Sequence, residues 1–271
     1  MARQAEDVGE SKAKMASGNI VVLAVLAGAF IAMGAVFATT VTAGGADLPY
    51  GVERLLGGLA FSLGLILVVV AGAELFTGNN LVVMAWASRR VASMRLLWIW
   101  LVVYLGNFVG ALATASLMYE TRQYTFGGGA VGRQVLEIAA AKTDLDFLQA
   151  LVLGAFCNAL VCLAVWLTYS ARTTTDRILA VVPPITAFVA AGFEHSVANM
   201  YFIPIGLFVR GDSTWLAETS DLPDVSGLSW GAFFVENLLP VTLGNLIGGT
   251  LMVAALYWFV YLRPRRLGSS D

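Results

Sequence analysis

Six apolar stretches dominate this sequence, running roughly over residues 20–42, 55–88, 96–118, 147–170, 178–209 and 232–262. Each reaches the ~20 residues that an α-helix needs to cross the ~30 Å hydrocarbon core of a bilayer. Lipid offers no partner to backbone N–H and C=O groups, so such stretches can cross it only as helices that satisfy themselves. The sequence therefore predicts an all-α membrane protein of six transmembrane helices. Charged residues make up 13% of the chain and fall mostly in short segments between the stretches, against about 25% in a soluble domain. A net charge of −2 gives no basic surface for a nucleic acid.

On this reading residues 1–19 form a cytoplasmic segment, 20–262 the six-span domain and 263–271 a cytoplasmic tail. The orientation follows from Lys and Arg. One side carries Arg3, Lys12, Lys14, Arg89, Arg90, Arg95, Arg172, Arg177, Arg263, Arg265 and Arg266; the other carries Arg54, Arg122, Arg133, Lys142 and Arg210. The positive-inside rule puts the first side, with both termini, in the cytoplasm. The connection 119–146 is long and holds a glycine cluster at 127–129; the connection 210–231 is acidic. Cys157 and Cys162 stand five apart in an apolar run, outside any metal-binding or redox spacing, and read as core residues. Most tryptophans, such as Trp86, Trp98 and Trp230, lie near span ends, where amphipathic rings favour the bilayer interface.

The second and fifth stretches are the longest, and each is interrupted by polar residues. GAELFTGN at 72–79 aligns without gaps on GFEHSVAN at 192–199, matching Gly72 to Gly192, Glu74 to Glu194 and Asn79 to Asn199. LGNFVG at 105–110 in the third stretch matches LGNLIG at 243–248 in the sixth, and GAF recurs at 28–30 and 154–156. The order of the matches predicts a duplication of three spans. An odd number of spans makes the second copy enter the membrane from the opposite face, an inverted repeat with its substrate site near the midplane. Gly72, Gly78 and Gly192 are suited to breaking the helices, and Thr77 and Ser196 to capping the segments that follow. Two half-helix N-termini converging at mid-membrane favour a small anion, because they present N–H groups and partial positive charge.

His195 is the one histidine of the chain, and an ionisable group at that depth is functional by default. Glu74 and Glu194 are shared by both repeats, which points to scaffolding: they accept the N–H groups freed by the breaks or pair with a base. Lys142 is the candidate partner of Glu194. Asn79, Asn199, Asn107 and Asn245 are expected to satisfy backbone groups between helices. Phe61 precedes its break by about three turns and Phe188 by about one, where a hydrophobic constriction would sit. An intramembrane enzyme is disfavoured: no GxSG-type serine motif occurs, and one histidine is too few for paired axial haem ligation. No cofactor and no metal are expected.

GAELFTGN and GFEHSVANMYFIPIG resemble the two signature segments of the formate/nitrite transporter family. FSLGLILVVVAGAELFTGN at 61–79 and ENLLPVTLGNLIGG at 236–249 are similar to its formate-channel branch, and the likeness runs from about residue 19 to 264. The resemblance implies an aquaporin-like inverted repeat of three plus three spans with two broken helices. It also implies a homopentamer in the bacterial inner (cytoplasmic) membrane, with one pore per protomer for small monovalent anions. Formate ranks first, on the IPIG and NLLPVTLGN segments, with nitrite and hydrosulfide as alternatives. It further implies a central histidine at His195, a break-loop threonine at Thr77 and constrictions at Phe61, Leu65, Phe76 and Phe188. Asn158 and Val161 would join the pore wall, and Lys142, Glu194 and Asn245 would support the histidine. One departure is Gly78–Asn79 after Thr77, where formate channels can carry other small residues, so the fine anion selectivity is not set by the resemblance. The expected mechanism uses His195 to hand a proton to the anion or to hydrogen-bond it, with the loop around Thr77 as a gate.

Overall fold

The computed structural model describes residues 1–45 and 48–263, so of the expected tail 263–271 only Arg263 lies within the described residues. The described chain is all-helical. Helix α1 (Ala2–Lys14) is followed by α2 (Ser17–Thr42) and by α3 (Tyr50–Ala71), which starts directly after Pro49. A 3₁₀ segment, Gly78–Val82, runs into α4 (Val83–Ala87), and α5 (Ser93–Glu120) follows. The long 119–146 connection contains a further helix, α6 (Ala130–Thr143), which starts after three glycines with positive φ at 127–129. Helix α7 (Phe147–Thr168) is capped by the Asp146 carboxylate on the Gln149 N–H. Helix α8 (Thr174–Ala190) opens on a capping box between Thr173 and Asp176. Then come α9 (Ser196–Arg210), the short α10 (Ser213–Glu218) and α11 (Ala232–Tyr261).

Five of these helices, α2, α3, α5, α7 and α11, are long and apolar enough to cross a membrane. Helices α8 and α9, 17 and 15 residues long, fall short of that length singly. Much of the outer surface is apolar: Leu97, Leu101, Leu105 and Val109 along α5 are all more than half exposed, as suits lipid or a neighbouring subunit.

The interior is built by close helix approach at small residues, which substitutes for a hydrophobic drive that lipid does not supply. A Cβ on Gly28 or Gly110 would collide with the backbone of the facing helix at Asn107 or Val25, and one on Gly248 would collide with the carbonyl of Ala155. These contacts fix α2 against α5 and α7 against α11.

They also set the register between the two halves. The Asn107 amide donates to the Ala24 carbonyl (2.7 Å), while the Asn245 amide donates to the Gly154 carbonyl (2.8 Å). Ala24 is thus the counterpart of Gly154, and the match of GAF 28–30 with 154–156 is one helical turn out of register. Gly28 stands where the second half has Asn158: Gly28 lies against the Asn107 carbonyl, and the Asn158 amide donates to the Asn245 carbonyl (2.6 Å). The GAF letters recur one turn away because Gly and Ala recur along the whole of α2.

Candidate pore site

The second and fifth apolar stretches each contain a helix end at a glycine. Helix α3 ends at Gly72 with φ 76°, and α8 runs out just before Gly192, also with φ 76°. That left-handed turn costs an ordinary L-residue about 1–2 kcal/mol, so glycine is the residue that fits. Gly78 has no positive φ and starts the 3₁₀ segment instead.

The backbone groups released by these turns are satisfied in matching pairs. The Glu74 N–H donates to the Leu23 carbonyl (3.2 Å) and the Glu194 N–H to the Leu153 carbonyl (3.4 Å). Asn107 accepts from the Phe76 N–H (2.9 Å) and donates to the Glu74 carbonyl (2.9 Å). Asn245 does the same for the Ser196 N–H (2.9 Å) and the Glu194 carbonyl (3.0 Å). One asparagine per half thus joins three strands of backbone, as expected of Asn107 and Asn245. An unpaired buried amide costs about 1–3 kcal/mol, so both positions are demanding.

Asn79 and Asn199 act differently from that expectation. Their side-chain amides donate to carboxylates: Asn79 to Glu74 (2.7 Å) and Asn199 to Glu194 (2.6 Å). The carboxylates do not take the freed N–H groups. Each instead pairs with a lysine. Lys142 Nζ lies 2.7 Å from Glu194 Oε1, as anticipated. Lys12 Nζ lies 2.9 Å from Glu74 Oε2 and 2.7 Å from the Asn79 oxygen. Lys12 comes from α1, in a segment read as a simple tail, and it stands in the first half where α6 supplies Lys142 in the second. Asn237 of α11, also missed from sequence, bridges the Asn199 amide to the Lys142 carbonyl (2.7 Å each).

Two cavities flank these networks. The one beside α6, about 380 Å³, is lined by Phe61, Phe188, Lys142, Glu194 and His195. The one beside α1, about 210 Å³, is lined by Lys12, Leu65, Glu74, Gly78 and Asn79. Phe61 and Phe188 meet edge to face with centroids 5.7 Å apart, and the Phe188 ring stacks on the His195 ring at 5.9 Å. Leu65 is on the wall of the α1 cavity. Phe76, Asn158 and Val161 are buried and line neither cavity; Phe76 packs edge-on against Tyr104 at 4.9 Å.

His195 stands on the wall of the α6 cavity, and Thr77 adjoins Gly78 on the wall of the α1 cavity. Thr77 Oγ1 lies 3.0 Å from His195 Nε2, with both residues buried. The other ring nitrogen, Nδ1, accepts the Ala198 N–H at 3.0 Å and so caps α9. The capping expected of Thr77 and Ser196 is therefore not what forms: Thr77 Oγ1 faces the imidazole, the Ser196 hydroxyl has no partner among the described residues, and His195 is the cap. A backbone N–H can only donate, so Nδ1 holds a lone pair and the neutral ring carries its proton on Nε2. Nε2–H then donates to the threonine oxygen, and the threonine proton is left to point elsewhere. Behind Thr77, the Asn80 amide (3.1 Å) and the Cys162 thiol (3.4 Å) both donate to its carbonyl.

Residues 1–259 match the family profile described as Formate/nitrite transporter. The chain is 44% identical over 266 residues to the formate channel FocA of Escherichia coli (strain K12), covering 97% of this chain and 93% of that protein. It is 39% identical over 278 residues to a probable formate transporter of Methanothermobacter thermautotrophicus, covering 97% and 96%. A solved pentameric formate channel with formate bound is similar at TM-score 0.84 and 42% identity, over 91% of this chain and 98% of that one. A solved FNT family ion channel is similar at TM-score 0.79 and 28% identity, over 96% and 98%.

Proposed function

The chain belongs to the formate/nitrite transporter family, and from that membership and the Thr77–His195 pair we propose that each protomer carries a pore for formate. The pore protein is a homopentamer of six-span, inverted-repeat protomers in the inner membrane of a bacterium, with both termini in the cytoplasm. In that orientation the α1 cavity is the inner vestibule and the α6 cavity the outer one.

The observation that carries the reading is the hydrogen-bonded pair standing between two vestibules, each with a lysine on its wall. A bare anion in an apolar slit costs several kcal/mol. Lys142 and Lys12 draw it into either mouth. Phe61 and Phe188 on one side, and Leu65 with Phe76 on the other, keep water from following. Between them the Thr77 hydroxyl, whose oxygen is held by the imidazole N–H, is oriented to donate its proton to a formate oxygen. A proton taken up by the ring enters at Nδ1, the nitrogen with the lone pair, and arrives only as the bond from the Ala198 N–H opens. Charge on His195 and movement of the α9 N-terminus are then one event. The pore performs no covalent chemistry, and no cofactor takes part.

The test is flux through the purified protein in proteoliposomes, comparing formate, nitrite and hydrosulfide at two pH values. Formate should pass fastest, and faster at low pH. Absence of anion flux would overturn the proposal, and faster nitrite or hydrosulfide passage would reassign the substrate.

A further inference from the structure

Arg54, at the start of the second turn of α3, has no counterpart in the other half: at the offset that relates Glu74 to Glu194, the corresponding residue is Thr174. Its side chain crosses to the C-terminal end of α8. Nη2 donates to the Val189 carbonyl at 2.6 Å and Nε to the Ala190 carbonyl at 3.2 Å. Gly192 leaves room for it: a Cβ there would make a tight 3.3 Å contact with Nη2. Among the described residues no side chain donates to the matching carbonyls of Val69 and Val70 in α3. Both helix ends also turn back on themselves: the Gly72 and Ala73 N–H groups share the Val68 carbonyl, and the Gly192 and Phe193 N–H groups reach the Val189 and Phe188 carbonyls; the guanidinium is the addition at α8.

The last carbonyls of a helix carry partial negative charge, which repels an anion. Both α3 and α8 end beside a vestibule, so each presents this unfavourable end along the route. Only the α8 end is covered by a guanidinium. Arg54 is half-buried and lines the same cavity as Lys142, His195, Phe61 and Phe188. The charge facing it there comes from Glu53, Glu137, Glu194 and Lys142. Lys142 attracts the anion with its charge partly offset by Glu194 2.7 Å away, whereas carbonyl oxygens hold the Arg54 guanidinium without offsetting its charge.

We infer that Arg54 sets the affinity of the outer vestibule for the entering anion, by masking the negative end of α8 and fixing a positive charge ahead of Phe61 and Phe188. The inference rests on the pore reading above. It makes the two mouths unequal, the outer one taking the anion at lower concentration than the inner one. Arg54 acts on entry, not on passage between Thr77 and His195.

The experiment measures formate half-saturation and maximal rate in proteoliposomes for the wild type, Arg54→Gln, Arg54→Lys and Glu53→Gln, at low and at high ionic strength. Arg54→Gln should raise half-saturation about 3- to 10-fold at ~10 mM salt, where charges act over ~30 Å, with the maximal rate held within about twofold. At ~0.5 M salt the Debye length falls to about 4 Å and the difference should shrink below about twofold. Arg54→Lys should recover most of the loss, and Glu53→Gln should lower half-saturation with the same salt sensitivity. A shift that is equal at both salt concentrations, or an Arg54→Lys protein that behaves like Arg54→Gln, overturns the inference. If Arg54→Gln does not fold, the Glu53→Gln arm decides, and an unchanged half-saturation there overturns it. A wild-type protein that passes no formate brings down the pore reading itself; a salt-independent shift brings down this inference alone.

Discussion

His195 Nε2 lies 3.0 Å from Thr77 Oγ1, and the same ring caps α9 through its other nitrogen. One side chain therefore holds a helix start and touches the residue opposite. The two duties separate by substitution. Asparagine is a strong N-cap without a titratable ring. His195→Asn should fold, with its melting temperature within a few degrees of the wild type, and should lose the rise of formate flux between about pH 7.5 and about pH 5.5. A pH dependence that survives in the Asn protein would falsify the role given to the imidazole.

Thr77 is assigned one hydrogen bond to the passing anion. A hydrogen bond to a charged group contributes about 1.5–3 kcal/mol, or roughly 10- to 100-fold in rate. Thr77→Val keeps the shape and loses the hydroxyl, so formate flux should drop by at least about tenfold. Thr77→Ser should retain most of it. Equal flux from the Val and Ser proteins would show that the hydroxyl does not contact the substrate.

The lysine pairs give a stability prediction. The Lys142 and Glu194 side chains are 16% and 6% exposed. Removing the cation leaves a carboxylate uncompensated, which for a buried pair costs about 3–5 kcal/mol; the partly open Lys142 puts this case near the lower end. Lys142→Met should therefore lower the melting temperature in detergent. Adding Glu194→Gln, which also removes the stranded charge, should recover at least half of the loss. Lys12→Met, at 26% lysine exposure, should cost less than Lys142→Met, and Glu74→Gln should rescue it in the same way.

A pH-dependent anchor lies in the 210–231 connection. The Tyr124 hydroxyl donates to Asp212 Oδ2 at 2.7 Å and the Trp215 N–H to Asp212 Oδ1 at 3.1 Å. These bonds, the tyrosine's first, hold the Asp212 carboxyl below its ordinary range. Burial and then the Asp212 carboxylate push Tyr124 up to about 12. A carboxylate with a depressed pKa stabilises the fold above its ordinary titration range, and that stability is lost as pH falls through the folded-state value. Tyr124→Phe should lower the melting temperature near neutral pH by about 2–4 °C, or about 1 kcal/mol after allowing for partial exposure. The gap should close below about pH 3. A gap that persists there would mean that the hydroxyl contributes by packing alone.

The sequence was most legible where length and polarity decide. The apolar stretches lie within a few residues of the helices found, because lipid leaves little freedom in where a span ends. Glu194 with Lys142, and Asn107 with Asn245, were readable because a charge or an amide in an apolar run needs a partner and the repeat named candidates. Lys12 was not, since ARQAEDVGESKAK looks like any charged tail. Only its distance ahead of Leu23, the same as that of Lys142 ahead of Leu153, marks it as half of a pair. Asn237 is a lone amide in an apolar run, and nothing local distinguishes it from a surface residue. Propensity points to Ser196 as the cap of α9, but the imidazole reaches the Ala198 N–H and the hydroxyl does not.

The two asparagines that join the breaks arrive at different times during synthesis. Asn107 follows its break at 72–77 by about 30 residues, so the first half can complete its own bend while the second is still untranslated. Asn245 sits in the last helix, 49 residues beyond the Ser196 it holds. Until that helix leaves the ribosome and enters the bilayer, α8 and α9 are two short pieces whose meeting point has no ligand for its exposed amide. A nascent chain stopped before residue 245 should thus hold α9 in a state that proteases or the insertion machinery can still reach. The second break is joined only once Asn245 has entered the bilayer.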